Sequence, residues 1–161
     1  QLCTIPLAYS DQEENEYAYK IGTLLIFVQN HIKQIKENPT LKKSTILDYY
    51  NNNKGNLQNK TLYLKNNEVE KKINTENAFK NIYPYPFKFV SQDEIEKAID
   101  NKSPDIVFLH KVGPGKKNGY RSYQIILGAQ DAQIYFFDYH MVNDDNPDAL
   151  LEKEVKKMIK K

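Results

Sequence analysis

From about Glu13 to Glu37 the apolar positions Tyr17, Ile21, Leu24, Leu25, Val28, Ile32 and Ile35 recur at intervals of three and four. That spacing brings side chains to one face of an α-helix, so a long helix with a buried apolar stripe is expected. Asn38-Pro39 ends it, because the residue before proline is pushed out of the helical region. A second helix is expected over Leu41 to Tyr50, before the polar run Asn51-Asn52-Asn53-Lys54-Gly55-Asn56 forces a loop. Thr61 to Lys65 then reads as a short strand, Glu68 to Ile82 as a helical segment broken near Asn74, and Phe87 to Val90 as a second strand.

Ser91-Gln92-Asp93-Glu94 has the S-x-x-E form of a capping box, and Ile95, Ala98 and Ile99 give the helix it opens an apolar face. The unbroken run Ile106-Val107-Phe108-Leu109 within Asp105 to Val112 predicts a central strand covered on both sides. Two further strands, Tyr120 to Leu127 and Gln133 to Met141, follow across a Gly113–Gly119 loop and a Gly128–Asp131 turn, making a meander. Asn146-Pro147 supplies an N-cap with proline at the first helical position, and the terminal helix it opens would bury Leu150, Leu151, Val155, Met158 and Ile159. The expected fold is therefore α+β, a mixed α/β domain of order ααβαβαβββα, with helices packed on a mixed five-stranded sheet.

Composition narrows the function more than the fold. The 161 residues are 40% hydrophobic and 27% charged, which suits one globular domain and excludes a disordered chain. The 23 basic residues are balanced by 21 acidic ones, and Arg121 is the lone arginine. Lysines dispersed among acids lack the concentrated guanidinium face of a nucleic-acid binder, so nucleic acid is not an expected partner. No run approaches the roughly 20 apolar residues of a bilayer span.

With Cys3 as the single cysteine, the chain can form no disulfide within itself and no cysteine-rich zinc site. The stretch Leu2 to Ser10 reads as the tail of a signal peptide, with Ala8 and Ser10 where a peptidase inspects small residues before Asp11. Residues 1–10 are thus expected to be a leader remnant and 11–161 a single exported domain.

Candidate chemistry gathers on the meander. His110 ends its first strand, Tyr120 and Arg121 open its second and His140 closes its third, so consecutive pairing would bring these groups to one sheet edge. Two strand spacings separate the histidines by roughly 10 Å, with Arg121 between them. With Lys111 and Asp138 nearby, the cluster could bind an anion or supply a general acid and base. A slip of one residue would turn the histidines to opposite faces, and strand-end histidines also serve to satisfy local backbone.

Gly113-Pro114-Gly115-Lys116-Lys117 lacks the spacing and the hydroxyl of a phosphate loop. No nucleophile motif and no metal-ligand spacing appears, and no cofactor is implied. His31 lies beside the first helix's apolar stripe, as a core-edge residue. The twelve tyrosines cluster at Tyr49-Tyr50, Tyr83-Pro84-Tyr85 and Tyr135 to Tyr139, where exposure would suit an interface and burial would make them ordinary core.

The segments Tyr83-Pro84-Tyr85, Val107-Phe108-Leu109-His110-Lys111-Val112-Gly113-Pro114 and Asp138-Tyr139-His140-Met141 resemble a group of uncharacterised exported proteins of Bacteroidetes-type bacteria. The resemblance runs from about Tyr17 to the terminal helix. It implies export and a single domain and carries over no catalytic residue. The expected role is an exported accessory protein, periplasmic or on the cell surface, that binds a protein, peptide or small ligand of the cell envelope. Arg121, Tyr120, Asp138 and Lys111 are its candidate ligand-binding residues. The alternative is a hydrolase or transferase using His110 and His140.

Overall fold

In the computed structural model, residues 15–40, 49–50, 55–113 and 118–160 are described. Strands β1 (Thr61–Leu64), β2 (Phe87–Phe89), β3 (Ile106–Val112), β4 (Arg121–Gly128) and β5 (Ile134–Met141) form one sheet of order β2-β1-β3-β4-β5. β1 pairs in parallel with both β2 and β3, and β3-β4-β5 is the antiparallel meander. Among the described residues the α-helices are α1 (Asn15–Glu37), α2 (Glu76–Lys80), α3 (Gln92–Asp100) and α4 (Glu152–Met158), and Tyr49 and Tyr50 are also helical. The α+β architecture with a mixed five-stranded sheet is as the pattern predicts.

Alternation along each strand divides the core in two. Leu62, Leu64, Val107, Leu109, Ile126 and Phe136 point to face A, where Phe79 of α2 and Val155 and Met158 of α4 cover them. Phe108, Ile125, Leu127 and Ile134 point to face B, against Phe27 of α1 and Ile95 and Ala98 of α3. β3 is covered on both faces, which is why its sequence is continuously apolar. The connection from β1 to β2 runs over face A and that from β2 to β3 over face B, so parallel pairing on both sides of β1 is satisfied by short helical crossovers.

Local chemistry sets the element ends. Ser91 Oγ accepts from the Glu94 N–H at 3.3 Å while the Glu94 carboxylate accepts from the Ser91 N–H at 3.0 Å, the reciprocal pair expected for α3. Lys88, at 2.8 Å, and the Ser91 N–H hold the Glu94 carboxyl down to about 2. Thr75 caps α2 through the Ala78 N–H.

Three expectations change. The single broken helix over 68–82 is instead two 3₁₀ turns, Asn66–Glu68 and Lys71–Ile73, and then the short α2. The terminal helix starts at Glu152, not at Asn146-Pro147. Val69 bridges Leu150 in parallel, with the Glu70 N–H on the Leu150 carbonyl and the Leu150 N–H on the Glu68 carbonyl. Those contacts hold Leu150 extended and fully buried, so the chain cannot turn helical until after it. The third change concerns α1. It buries Thr23, Phe27 and His31; of the predicted stripe Val28 packs on the face B core and Leu24 and Ile35 are half-buried, whereas Ile21, Leu25 and Ile32 are 46%, 64% and 42% exposed.

Residues 41–48 of the helix expected over Leu41 to Tyr50, the leader at 1–10 and the loop residues 114–117 lie outside the described residues.

Candidate functional site

The registers of the meander decide what its polar residues can do together. His110 stands opposite Ile125, and His140 opposite Ser122. Ile125 and Ser122 are three residues apart, and side chains alternate along a strand, so the two imidazoles lie on opposite faces of the sheet. Shared acid-base work by His110 and His140 is therefore ruled out, because such groups must converge within about 3 Å of one substrate or act through one water.

The reversal has a local cause. Leu127 pairs with Ile134 but Ile126 pairs with Phe136, so Tyr135 is an extra residue in β5. Without this bulge the Ile134 register would run on to put His140 opposite Arg121, four residues from Ile125 and on the face of His110. The bulge instead sends both Tyr135 and Phe136 into the face A core and reverses the rest of β5.

On face A the nominated residues hold the C-terminal segment. Lys111 Nζ lies 3.1 Å from Asp148 Oδ2 and 3.4 Å from its carbonyl oxygen, and Ser122 Oγ donates to Asp148 Oδ1. A Cβ on Gly113 would sit 1.8 Å from that same Asp148 oxygen, so only glycine permits the approach. Gln124 Nε2 donates to Ser122 Oγ at 2.7 Å. Asp138 pairs with Lys157 of α4.

His140 Nδ1 is 2.8 Å from Glu154 Oε1 and its Nε2 is 2.9 Å from the Pro147 carbonyl. Both neighbours are acceptors, so both ring nitrogens donate only when the imidazole is protonated. Burial opposes that charge, but Glu154 and the Pro147 carbonyl prevail and hold the His140 pKa above its usual value. Glu154 also accepts from the Leu151 N–H at 2.9 Å. His140, Lys111 and Asp138 thus act as anchors for residues 147–157.

Face B keeps an open surface. The Arg121 guanidinium sits 4.7 Å from the centre of the Tyr139 ring, a cation–π contact. Tyr123 packs between Tyr139 and Phe137, with ring centroids 5.7 and 6.4 Å away. Tyr120, Tyr139 and Met141 are 54%, 39% and 46% exposed. β5 is also an edge strand. The Val142 N–H donates to the Tyr120 carbonyl, which turns residue 142 toward β4 and, by alternation, turns the backbone groups of Phe137, Tyr139 and Met141 out of the edge. The Asp138 carboxylate takes the Tyr139 N–H at 2.9 Å. Other tyrosine clusters are core: Tyr50, Tyr83 and Tyr135 are buried.

A cleft of about 260 Å³ opens between α1 and the β4–β5 turn, walled by Phe27, Asn30, His31, Gln34, Tyr49, Tyr50 and Asp131. His31 Nδ1 is hydrogen-bonded to the Tyr50 hydroxyl and its ring stacks on Phe27. The Asn30 amide donates to the Asp131 carbonyl. None of the residues nominated on the meander lines this cleft. Of its lining, His31 was legible as a core-edge residue, whereas Asn30 and Gln34, polar positions away from the aliphatic stripe, read as solvent-facing until α1 is docked.

Among the described residues no cluster of three or more histidine, cysteine or acidic side chains could hold a metal ion, and no helix is long and apolar enough to cross a membrane. No known protein family, curated protein or solved structure matches the chain.

Proposed function

We propose that the protein is an exported accessory protein of the cell envelope that binds an extended peptide segment of a partner along β5. The carrying observation is exposed Arg121 and Tyr139 over half-buried Tyr123, beside the outward backbone of Phe137 and Met141 and the outward Tyr139 carbonyl, the Tyr139 N–H being held by Asp138. A peptide laid on this edge gains main-chain hydrogen bonds from the strand, while alternate side chains meet the aromatic surface. Arginine and tyrosine are the residue types that concentrate binding energy at interfaces, and the permanent charge of Arg121 favours a carboxylate on the incoming peptide. Export rests on the apolar-to-acidic change at residues 1–14.

Selection from a displayed peptide library against the whole chain tests the binding. Selected peptides should carry an acidic residue within an extended apolar sequence, and Arg121→Ala and Tyr139→Ala should each weaken the best of them by tenfold or more. Peptides indifferent to both substitutions would remove β5 as the site. Mass spectrometry of the exported protein reads the other half, a mature chain beginning at Asp11 being expected and a retained leader sinking it.

A further inference from the structure

The cleft between α1 and the β4–β5 turn is built in tiers. Its floor is buried and mostly shared with the face B core, through Phe27, His31, Tyr50, Ala132 and Ile134. Half-buried Asn30, Gln34 and Tyr49 make the middle, and exposed Lys33, Glu37, Asp131 and Gln133 stand at the mouth.

The walls are fixed before anything enters. The Asn30 amide donates to the Asp131 carbonyl and so ties the helix to the turn. Within the turn the Gly128 N–H donates to the Gln133 carbonyl and the Ala132 N–H to the Gly128 carbonyl, both at 2.9 Å, while the Asp131 carboxylate accepts from the Gln133 N–H at 3.0 Å. Ala132 takes the left-handed backbone, φ 54°, that residues other than glycine seldom adopt. A site already ordered in this way loses less entropy when a ligand settles in it.

We propose that this cleft binds a neutral sugar, one pyranose unit of a glycan. Charge argues against the charged classes: an anion would meet Glu37 and Asp131, and a cation would meet Lys33. What the middle and the mouth offer instead is amides. Asn30, Gln34 and Gln133 each carry N–H donors and a carbonyl acceptor, which matches hydroxyls that donate and accept at once. Among the described rings Phe27 meets Tyr50 at 44° and Tyr49 meets Tyr50 at 68°, so these form no parallel slot that would take a flat base from both sides. Half-buried Tyr49 suits the apolar C–H face of a sugar ring, whose hydroxyls then project toward the amides. At about 260 Å³ the space lies below the roughly 300 Å³ at which drug-sized sites begin, so it takes one ring and leaves the rest of a chain outside.

This cleft is separate from the β5 surface. Both lie on face B, but at opposite ends of β4, whose eight residues span about 26 Å.

Titration of the isotope-labelled full chain with methyl glucoside, methyl galactoside, methyl mannoside and N-acetylglucosamine, followed by two-dimensional NMR, tests the proposal. At least one sugar should shift the side-chain amide signals of Asn30, Gln34 and Gln133 saturably, with a Kd of about 1 mM. Gln34→Ala and Gln133→Ala should each weaken it by about fivefold, the fold-change of one lost hydrogen bond, with an unchanged circular-dichroism spectrum. Gln133 is exposed, so its substitution tests the site without touching the core. Arg121→Ala should leave sugar binding as it is. Silence of all these sugars up to about 50 mM overturns the proposal, as does binding that is indifferent to both glutamine substitutions or confined to signals of β5. Stronger shifts by glucosamine, glucuronate or adenosine at the same concentration overturn the neutral-sugar assignment and give the cleft to a cation, an anion or a flat base.

Discussion

Replacing His140 by leucine should destabilise the protein far more than any surface ion pair could. The imidazole and Glu154 side chains are 6% and 1% exposed, and without His140 the carboxylate keeps only the Leu151 N–H among the partners described. Removing one member of a buried pair costs about 3–5 kcal/mol, against about 0–1 kcal/mol for an exposed pair such as Lys157–Asp138. The double variant His140→Leu/Glu154→Leu should recover most of the loss, because no uncompensated charge stays behind.

The pair also predicts a sign with pH. The folded-state pKa of His140 is raised, so its contribution is complete below the unfolded value of about 6.5 and is lost as pH rises through the folded pKa. Urea unfolding followed by circular dichroism at pH 6 and pH 9 reads both effects. The wild type's advantage over the double variant should be larger at pH 6. A single variant costing under about 1 kcal/mol, or an advantage that grows toward pH 9, would refute the reasoning that the imidazolium anchors the terminal segment.

Leu62→Ala removes a fully buried side chain from the face A core and should cost about 2–5 kcal/mol in urea unfolding, the lower end meaning that Phe79 and Leu109 close on the space. Ser91→Ala removes the cap hydroxyl of α3 and should cost about 1 kcal/mol, whereas the Glu94 carboxyl, held at about 2 chiefly by Lys88 and the Ser91 N–H, should rise toward ordinary values in an NMR titration of Lys88→Ala and stay low in Ser91→Ala. Because that pKa is depressed in the fold, Glu94 supports stability above the unfolded value near 4.5 and loses it as pH falls toward 2, and the loss should be smaller in Lys88→Ala.

Elements that carry their own cues were legible. The Ser91–Glu94 box opens α3, the continuous apolar run of β3 marks a strand covered on both sides, and the glycine-bounded apolar segments give the meander. What escaped depended on partners distant in the chain. Asn146-Pro147 is a sound local helix start, but the Val69–Leu150 bridge overrides it from about eighty residues away. The α1 stripe was read as the buried face because the more apolar side of a helix usually packs inward, yet the helix is rolled so that Thr23, Phe27 and His31 are buried with Val28 at their flank, and Ile21, Leu25 and Ile32 stay exposed.

The candidate site failed for a narrower reason, and it lies in one residue. The sequence places His110, Arg121 and His140 at corresponding ends of three neighbouring strands, and strict alternation from the Ile134–Leu127 pair would have put both histidines on one face with Arg121. Whether Tyr135 is paired or bulged inverts that result, and no rule of spacing distinguishes the two, because a strand with one extra residue has the same alternating look on either side of it. What does distinguish them is the demand of the core. Tyr135 and Phe136 both reach face A, and the Tyr135 ring fills the space beside Gly55, where even a Cβ would come within 2.2 Å of it. The same bulge separates the two roles of β5. It sends His140 and Asp138 inward to anchor the terminal segment, and it leaves Tyr139 and Met141 with Arg121 on the open face, where a partner can reach them.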